Sequence, residues 1–404
     1  MGSLLLAIIY LAFISLGLPD SLLGSAWPAM YRDLNAPISC AGMISMTIAA
    51  GTIVSSLFSD KMTKKLGTGR LTAASVLLTA AAMFGFSVSH SVVMLFLLAI
   101  PYGLGAGAID AALNNYVALH YNSRHMSWLH CFWGVGASIS PYIMGYAIGN
   151  GNGWRSGYGI VSAIQIVITA ILFCSLPLWK ERSSDEAGGR GAENECERAD
   201  NSGAGECRHP EISLRLRDAW KIKGVPFVLF AFFGYCAFES TCGLWAGSYL
   251  VEYRGLDSQT AATFSSLLFL GITAGRFVSG FVADRIGDHG MIRIGLSTAL
   301  AGIVLIALPV PTSVTALVGL VIIGIGAAPV YPSIIHATPD NFGKENSQAI
   351  IGIQMASAYV GTTFMPPVFG LIAEHISIGW YPYYLTVFAV VAFVMLERLN
   401  QMKK

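Results

Sequence analysis

Residues 51–70 read GTIVSSLFSDKMTKKLGTGR, and residues 275–293 read GRFVSGFVADRIGDHGMIR. In each stretch a glycine, Gly51 or Gly275, is followed after eight residues by an acid and a base, Asp60 and Lys61 in one copy and Asp284 and Arg285 in the other. A further glycine stands just beyond, Gly67 or Gly287. Both copies close an apolar run and open onto a basic turn, 224 residues apart. Other landmarks keep the register: Gly103 and Gly105 match Gly324 and Gly326, and Gly136, Pro141 and Gly145 match Gly361, Pro366 and Gly370, at offsets between 221 and 225. Trp154 and Trp380 continue it. A repeat this long means two related bundles, not a stack of small units.

Composition says what surrounds those bundles. The 404 residues are 54% hydrophobic and 12% charged, and apolar runs of membrane-spanning length recur almost throughout. Of the 47 Lys, Arg, Asp and Glu residues, 19 fall between Lys180 and Lys223, which marks that stretch as a solvated linker. The rest divides into twelve spans: 4–28, 38–59, 71–89, 92–118, 127–149 and 156–179, then 225–251, 259–283, 292–310, 314–337, 347–373 and 380–397. The expected fold is an all-α membrane protein with twelve transmembrane helices in two pseudo-symmetric six-helix bundles. Residues 1–179 form the first, 180–223 the cytoplasmic linker and 224–404 the second.

Basic residues orient the chain. With both termini inside, 20 of the 24 Lys and Arg residues fall on the cytoplasmic side, and only Arg32, Arg155 and Arg254 fall outside. Arg276 lies within span eight. A net charge of +1 gives no reason to expect nucleic acid as a partner, and the first apolar segment, lacking a basic start and a small-residue cleavage site, reads as a retained span. The chain is expected in the plasma (cell inner) membrane, as a monomer in contact with the lipid bilayer.

Ionisable groups inside spans cost about 2.5 to 3.5 kcal/mol to insert, so they persist where they face a cavity or a partner. Asp20 in span one, Asp110 in span four and Glu239 in span seven pass that filter, and none has an obvious basic partner at its own depth. Such an acid can bind a proton when dry and release it when hydrated, and His130, expected to meet Asp110, can trade one with it. These four are the candidate proton-coupling residues; the alternatives are an entrance-lining or helix-capping acceptor for Asp20, a helix-packing polar cluster for Asp110, a gating pair across the halves for Glu239 and a hydrogen bond between helices for His130. Substrate hydroxyls would be met by Asn114, Asn115, Glu239, Gln348 and Gln354, and a sugar's C–H face by Trp133, Tyr235, Trp245 or Tyr359. The repeated motif itself, Gly51, Asp60 and Lys61 with Gly275, Arg276, Asp284 and Arg285, reads as a pair of conformational latches at the cytoplasmic ends of spans two and eight. No metal spacing, catalytic constellation or cofactor motif is present, so the chain is not expected to be an enzyme; Gly103, Gly105 and Gly107 lie inside an apolar span and form no nucleotide loop.

Twelve spans in two halves, a long central loop and a Gly, Asp, basic motif after spans two and eight together resemble the major facilitator superfamily. The first motif departs from the family's form, since Lys61, Lys64 and Lys65 precede Gly67. The resemblance implies a secondary transporter that exposes a central site alternately to each side. Within that family, LGLPDSLLGSAWP of span one and WLHCFWGVGASISP of span five are similar to the fucose, galactose and glucose:cation symporter branch. That similarity implies cation-coupled sugar entry, with acids in spans one and four at positions that Asp20 and Asp110 fit. The leading expectation is proton-coupled symport of a small polar solute, a monosaccharide by the resemblance. Sodium stays open as the coupling ion; proton-coupled drug or metabolite efflux and a non-transporting membrane sensor stay open as functions.

Overall fold

A computed structural model describes residues 2–121, 123–179, 222–310 and 312–402, so nearly all of the expected linker lies outside the described residues. Everything described is helix or short turn, as lipid requires: a backbone without water must bond to itself. Ten stretches are long and apolar enough to cross a membrane. One of them, Ile350–Gln401, covers most of span eleven (Lys344–Ile372) and span twelve (Tyr381–Gln401), which are separated by a π-helical turn at Ala373–Ser377 and a short tight turn at Ile378–Trp380. Span five, Ser123–Gly149, completes the twelve, its apolar character diluted by histidine, serine and glycine. Large apolar side chains such as Leu57, Leu97 and Phe281 stand exposed on the outside, as suits a lipid solvent.

The duplication is visible in packing. In the first half span one lies on span five, span two on span four, and span three on spans four and six. The second half repeats these pairings as seven on eleven, eight on ten, and nine on ten and twelve. Glycine makes the crossings close: a Cβ on Gly51 would meet Gly103 Cα at 3.2 Å, and one on Gly271 would meet Gly324 Cα at 3.1 Å, which is how helices pack where lipid supplies no hydrophobic drive. The repeated turn glycines Gly67 and Gly287 have φ of +80° and +74°, a region that side-chain-bearing residues rarely enter.

Two spans depart from single helices. Span one breaks into Gly2–Asp20 and Leu22–Asp33, and so runs further than its hydropathy suggested; span ten breaks into Val314–Ala327 and Val330–His336 around Pro329. Proline removes a helical donor and explains the second break. At the first, Pro19 precedes the last residue of the helix.

The halves meet along spans five and eight, two and eleven, and one and seven. Close backbone approaches between them lie toward the face where spans one and seven end. There a Cβ on Gly24 would sit 2.7 Å from the Gly243 carbonyl oxygen, one on Gly247 would sit 2.7 Å from that of Gly24, and one on Gly42 would sit 2.6 Å from Pro367 Cα. Glu252 at the end of span seven accepts hydrogen bonds from Tyr31 and Arg32 at the end of span one, both at 2.6 Å. Toward the opposite face, Gly280 and Gly352 meet nothing within 4 Å, and spans four and ten pack within their own halves. The molecule is closed at one face.

Candidate functional site

The break in span one puts a carboxylate at the middle of the bundle. Ser21, the residue of the break, donates to the Ala137 carbonyl at 2.7 Å and lies 2.7 Å from the Ser140 hydroxyl, tying it to span five. Gly17 and Gly136 bring the two helices together, each with backbone of the other where a Cβ would stand. Asp20 at this crossing accepts from Tyr102 Oη and from Trp133 Nε1, both at 2.8 Å. Both carboxylate oxygens are thus held by neutral donors, yet the residue is exposed. It opens on the space between the halves.

Asp110 lies half-buried on span four, accepting from Asn114 Nδ2 at 2.9 Å, one helical turn on. The other end of Asn114, its Oδ1, has no partner among the described residues. Asp20 on its own half, and Tyr331 and Tyr359 on the other, lie within electrostatic reach of Asp110. This half of the site holds acids and amides.

The second half holds a base. Glu239 was expected to lack a basic partner, and the structure corrects this: Arg276 Nη2 stands 3.6 Å from its Oε1, with the two side chains 16% and 23% exposed. The guanidinium also lies over the Trp133 ring, 5.5 Å from its centre. Asp20, Trp133, Arg276 and Glu239 therefore form one continuous file that crosses from the first half to the second. Arg276 belongs to this file by position, although it sits in the repeated motif. The same filter that singled out buried acids would have found it if applied to bases.

Other expectations resolve differently. His130 does not pair with Asp110; it stands edge-on to Phe13 at 5.9 Å, and Arg276 is the charge it feels. Tyr235 and Trp245 are fully buried, donating to the Ala327 carbonyl at 2.9 Å and the Pro366 carbonyl at 3.0 Å, so neither offers an open ring face. Gln354 is buried against Thr338, 3.1 Å away. Tyr359 and Trp133 stay half-buried. In the repeated motif, Gly51 and Gly275 serve helix crossings, Gly275 toward Ala328; Lys61 lies 5.9 Å over the Phe58 ring and Arg285 is exposed. The side chains of Asp60, Asn115, Asp284 and Gln348 lie outside the described residues. Tyr102 was missed, because a tyrosine in an apolar span more often packs than bonds an acid.

Two six-helix bundles that meet around a polar centre, closed at one face, define a membrane transport protein and not an enzyme. The sequence model of the Major Facilitator Superfamily matches residues 9–353, and the chain belongs to that family. It is 22% identical to bypass of stop codon protein 6 of Saccharomyces cerevisiae, over 95% of this chain and 80% of that one. It is 22% identical to the glucose/mannose transporter GlcP of Bacillus subtilis, over 80% of this chain and 77% of that one. Among solved structures, the nucleoside transporter NupG shares the fold, with a TM-score of 0.74 and 14% identity over 98% of this chain and 99% of that one.

Proposed function

We propose that the chain carries a monosaccharide into the cell by symport with protons, as a member of the sugar:cation symporter branch, from a plasma membrane in which both termini are cytoplasmic. Residues 1–179 and 224–404 are the two rocking units and 180–223 links them. On that orientation the sealed face is the outer one, so the structure is an inward-open state. The observation that carries the reading is Asp20: a carboxylate at the centre, open to the space between the halves, with only Tyr102 and Trp133 as partners among the described residues.

Closing the bundle around a bare charge is costly, whereas a protonated carboxyl is neutral and can cross with its substrate. Glu239 differs, since Arg276 already balances it. Asp20, with Asp110 within its field, is thus the group whose charge must be removed by an incoming proton. Release follows when the inner side opens and water returns. Asn114, Trp133 and Tyr359 lie around the same space and supply polar and aromatic contacts for a sugar, and the Bacillus relative is a glucose/mannose transporter.

The test is transport in liposomes under imposed pH or sodium gradients, with sugars and lipophilic cations as cargo. Proton-driven sugar accumulation is expected, falling by about two orders of magnitude or more in Asp20→Asn and in Asp110→Asn, a size typical of a lost proton-transfer group, while gradient-free sugar exchange survives. Accumulation that survives both substitutions sinks the coupling assignment. Sodium-driven uptake, or movement of cations but not sugars, gives the answer to sodium coupling or to efflux instead.

A further inference from the structure

Arg276 is the base of the central file. Its side chain is 16% exposed, its nearest charge is Glu239 at 3.6 Å, beyond hydrogen-bond reach, and none of its N–H groups has a hydrogen-bond acceptor among the described residues. A donor-only group left open to solvent is available to a ligand that brings acceptors. The ring of Trp133 covers one face of the guanidinium, so its donors lie along the edge. Glu239, 23% exposed, presents acceptors beside them.

We propose that Arg276 and Glu239 together form the specificity pair of the site, reading two adjacent hydroxyl groups of a neutral sugar. This rests on the monosaccharide reading and adds to it. A guanidinium is donor-only and an ionised carboxylate is acceptor-only, so the pair suits a ligand that accepts at one oxygen and donates from the next. A vicinal diol does both: one hydroxyl oxygen receives an N–H of Arg276 and the neighbouring O–H is given to Glu239. An anionic sugar would set its carboxylate against Glu239, which has no further cation to balance it among the described residues, and is therefore rejected. The same ring that orients Arg276 donates to Asp20, so a sugar held by the pair lies one side chain away from the coupling acid.

The experiment measures binding calorimetrically with the full purified chain, using D-glucose, each of its monodeoxy analogues and D-glucuronate. The wild type is expected to lose about tenfold or more for the analogues that lack either member of one adjacent hydroxyl pair, the size of a hydrogen bond to a charged group. Arg276→Lys should lose about as much toward D-glucose and little more toward one of those analogues. That non-additivity is a readout that a merely structural role would not produce. Glu239→Gln should narrow the preference for D-glucose over D-glucuronate. Equal losses across all deoxy positions, or D-glucose binding indifferent to both substitutions, overturns the specificity pair while leaving the monosaccharide reading intact. If no sugar binds the wild type, that reading and the pair fall together.

Discussion

Arg32 and Arg254 occupy the same place in the two copies, 222 residues apart at the ends of spans one and seven, and they do opposite things. Arg32 reaches across to Glu252 of the other half, 2.6 Å away, with Tyr31 donating to the same oxygen. Arg254 turns inward to its own half and donates to the carbonyls of Ile306, Leu308 and Val310 at the end of span nine. One arginine joins the two halves, and the other staples helices within one half. A duplicated position therefore carries no fixed role; what lies within reach of a long side chain decides it. The bond between the halves is also the more exposed of the two, since Arg32 is 54% exposed and Arg254 half-buried.

The comparison can be broken most forcefully beneath the ion pair. If backbone contact at Gly24 and not the Arg32 bridge secures the closed face, Gly24→Val should shift the population toward an opened outer face by at least about tenfold, because the added atoms have nowhere to go and a two-state equilibrium answers to any differential contact. Site-directed labelling of the outer ends of spans one and seven reads this, and unchanged labelling would return the role to the ion pair. Next in size is Arg254→Ala. Three carbonyls lose a charged donor, a cost of about 1 to 3 kcal/mol, so Tm should fall while the inward and outward populations stay as they were. A shift in those populations would mean that Arg254 also gates.

The start of span eight sharpens the same contrast, for its cap works within one half. Asp257 Oδ1 accepts from the Thr260 backbone N–H at 2.9 Å, and the Thr260 side chain and backbone hold the Asp257 carboxyl below the usual range. A carboxyl depressed in the folded state adds stability above its unfolded value of about 3.9 and loses it as pH falls through the folded value. Asp257→Ala should therefore cost about 0.5 to 2 kcal/mol at neutral pH and less below about pH 4, as thermal melts at both pH values would show; an equal cost at both would reject the cap as its cause. The smallest effect belongs to Glu252→Gln. An exposed pair is worth about 0.2 to 1 kcal/mol, so the closed face should loosen only a few-fold, and less at high salt. A larger shift than that of Gly24→Val would reverse the ranking.

Some of the central site could be read from residues alone. Asp20, Asp110 and Glu239 were visible because a charge in an apolar span is costly and so has a reason to be there. Their partners were not. Glu239 meets Arg276 from the next helix, thirty-seven positions later, and Asp20 meets Tyr102 and Trp133 from two further spans; such pairings depend on how helices rotate about their axes, which hydropathy does not encode. Trp245 shows the converse, a residue of the right chemistry for sugar stacking whose ring the fold spends on the Phe369 edge and the Pro366 carbonyl.

By itself, the sequence determined the membrane class, the twelve spans, the duplication and the family, because these rest on local apolar length and on a register of glycines and prolines that survives along one dimension. Only the tertiary structure decided that span one breaks beside Asp20, that Arg276 leaves its motif to join the central file, and that one face is closed. Those outcomes follow from which side chains meet across helices far apart in the chain. In lipid, where every polar group must find a partner inside the protein, such meetings settle which charges are balanced and which are left for a proton or a substrate.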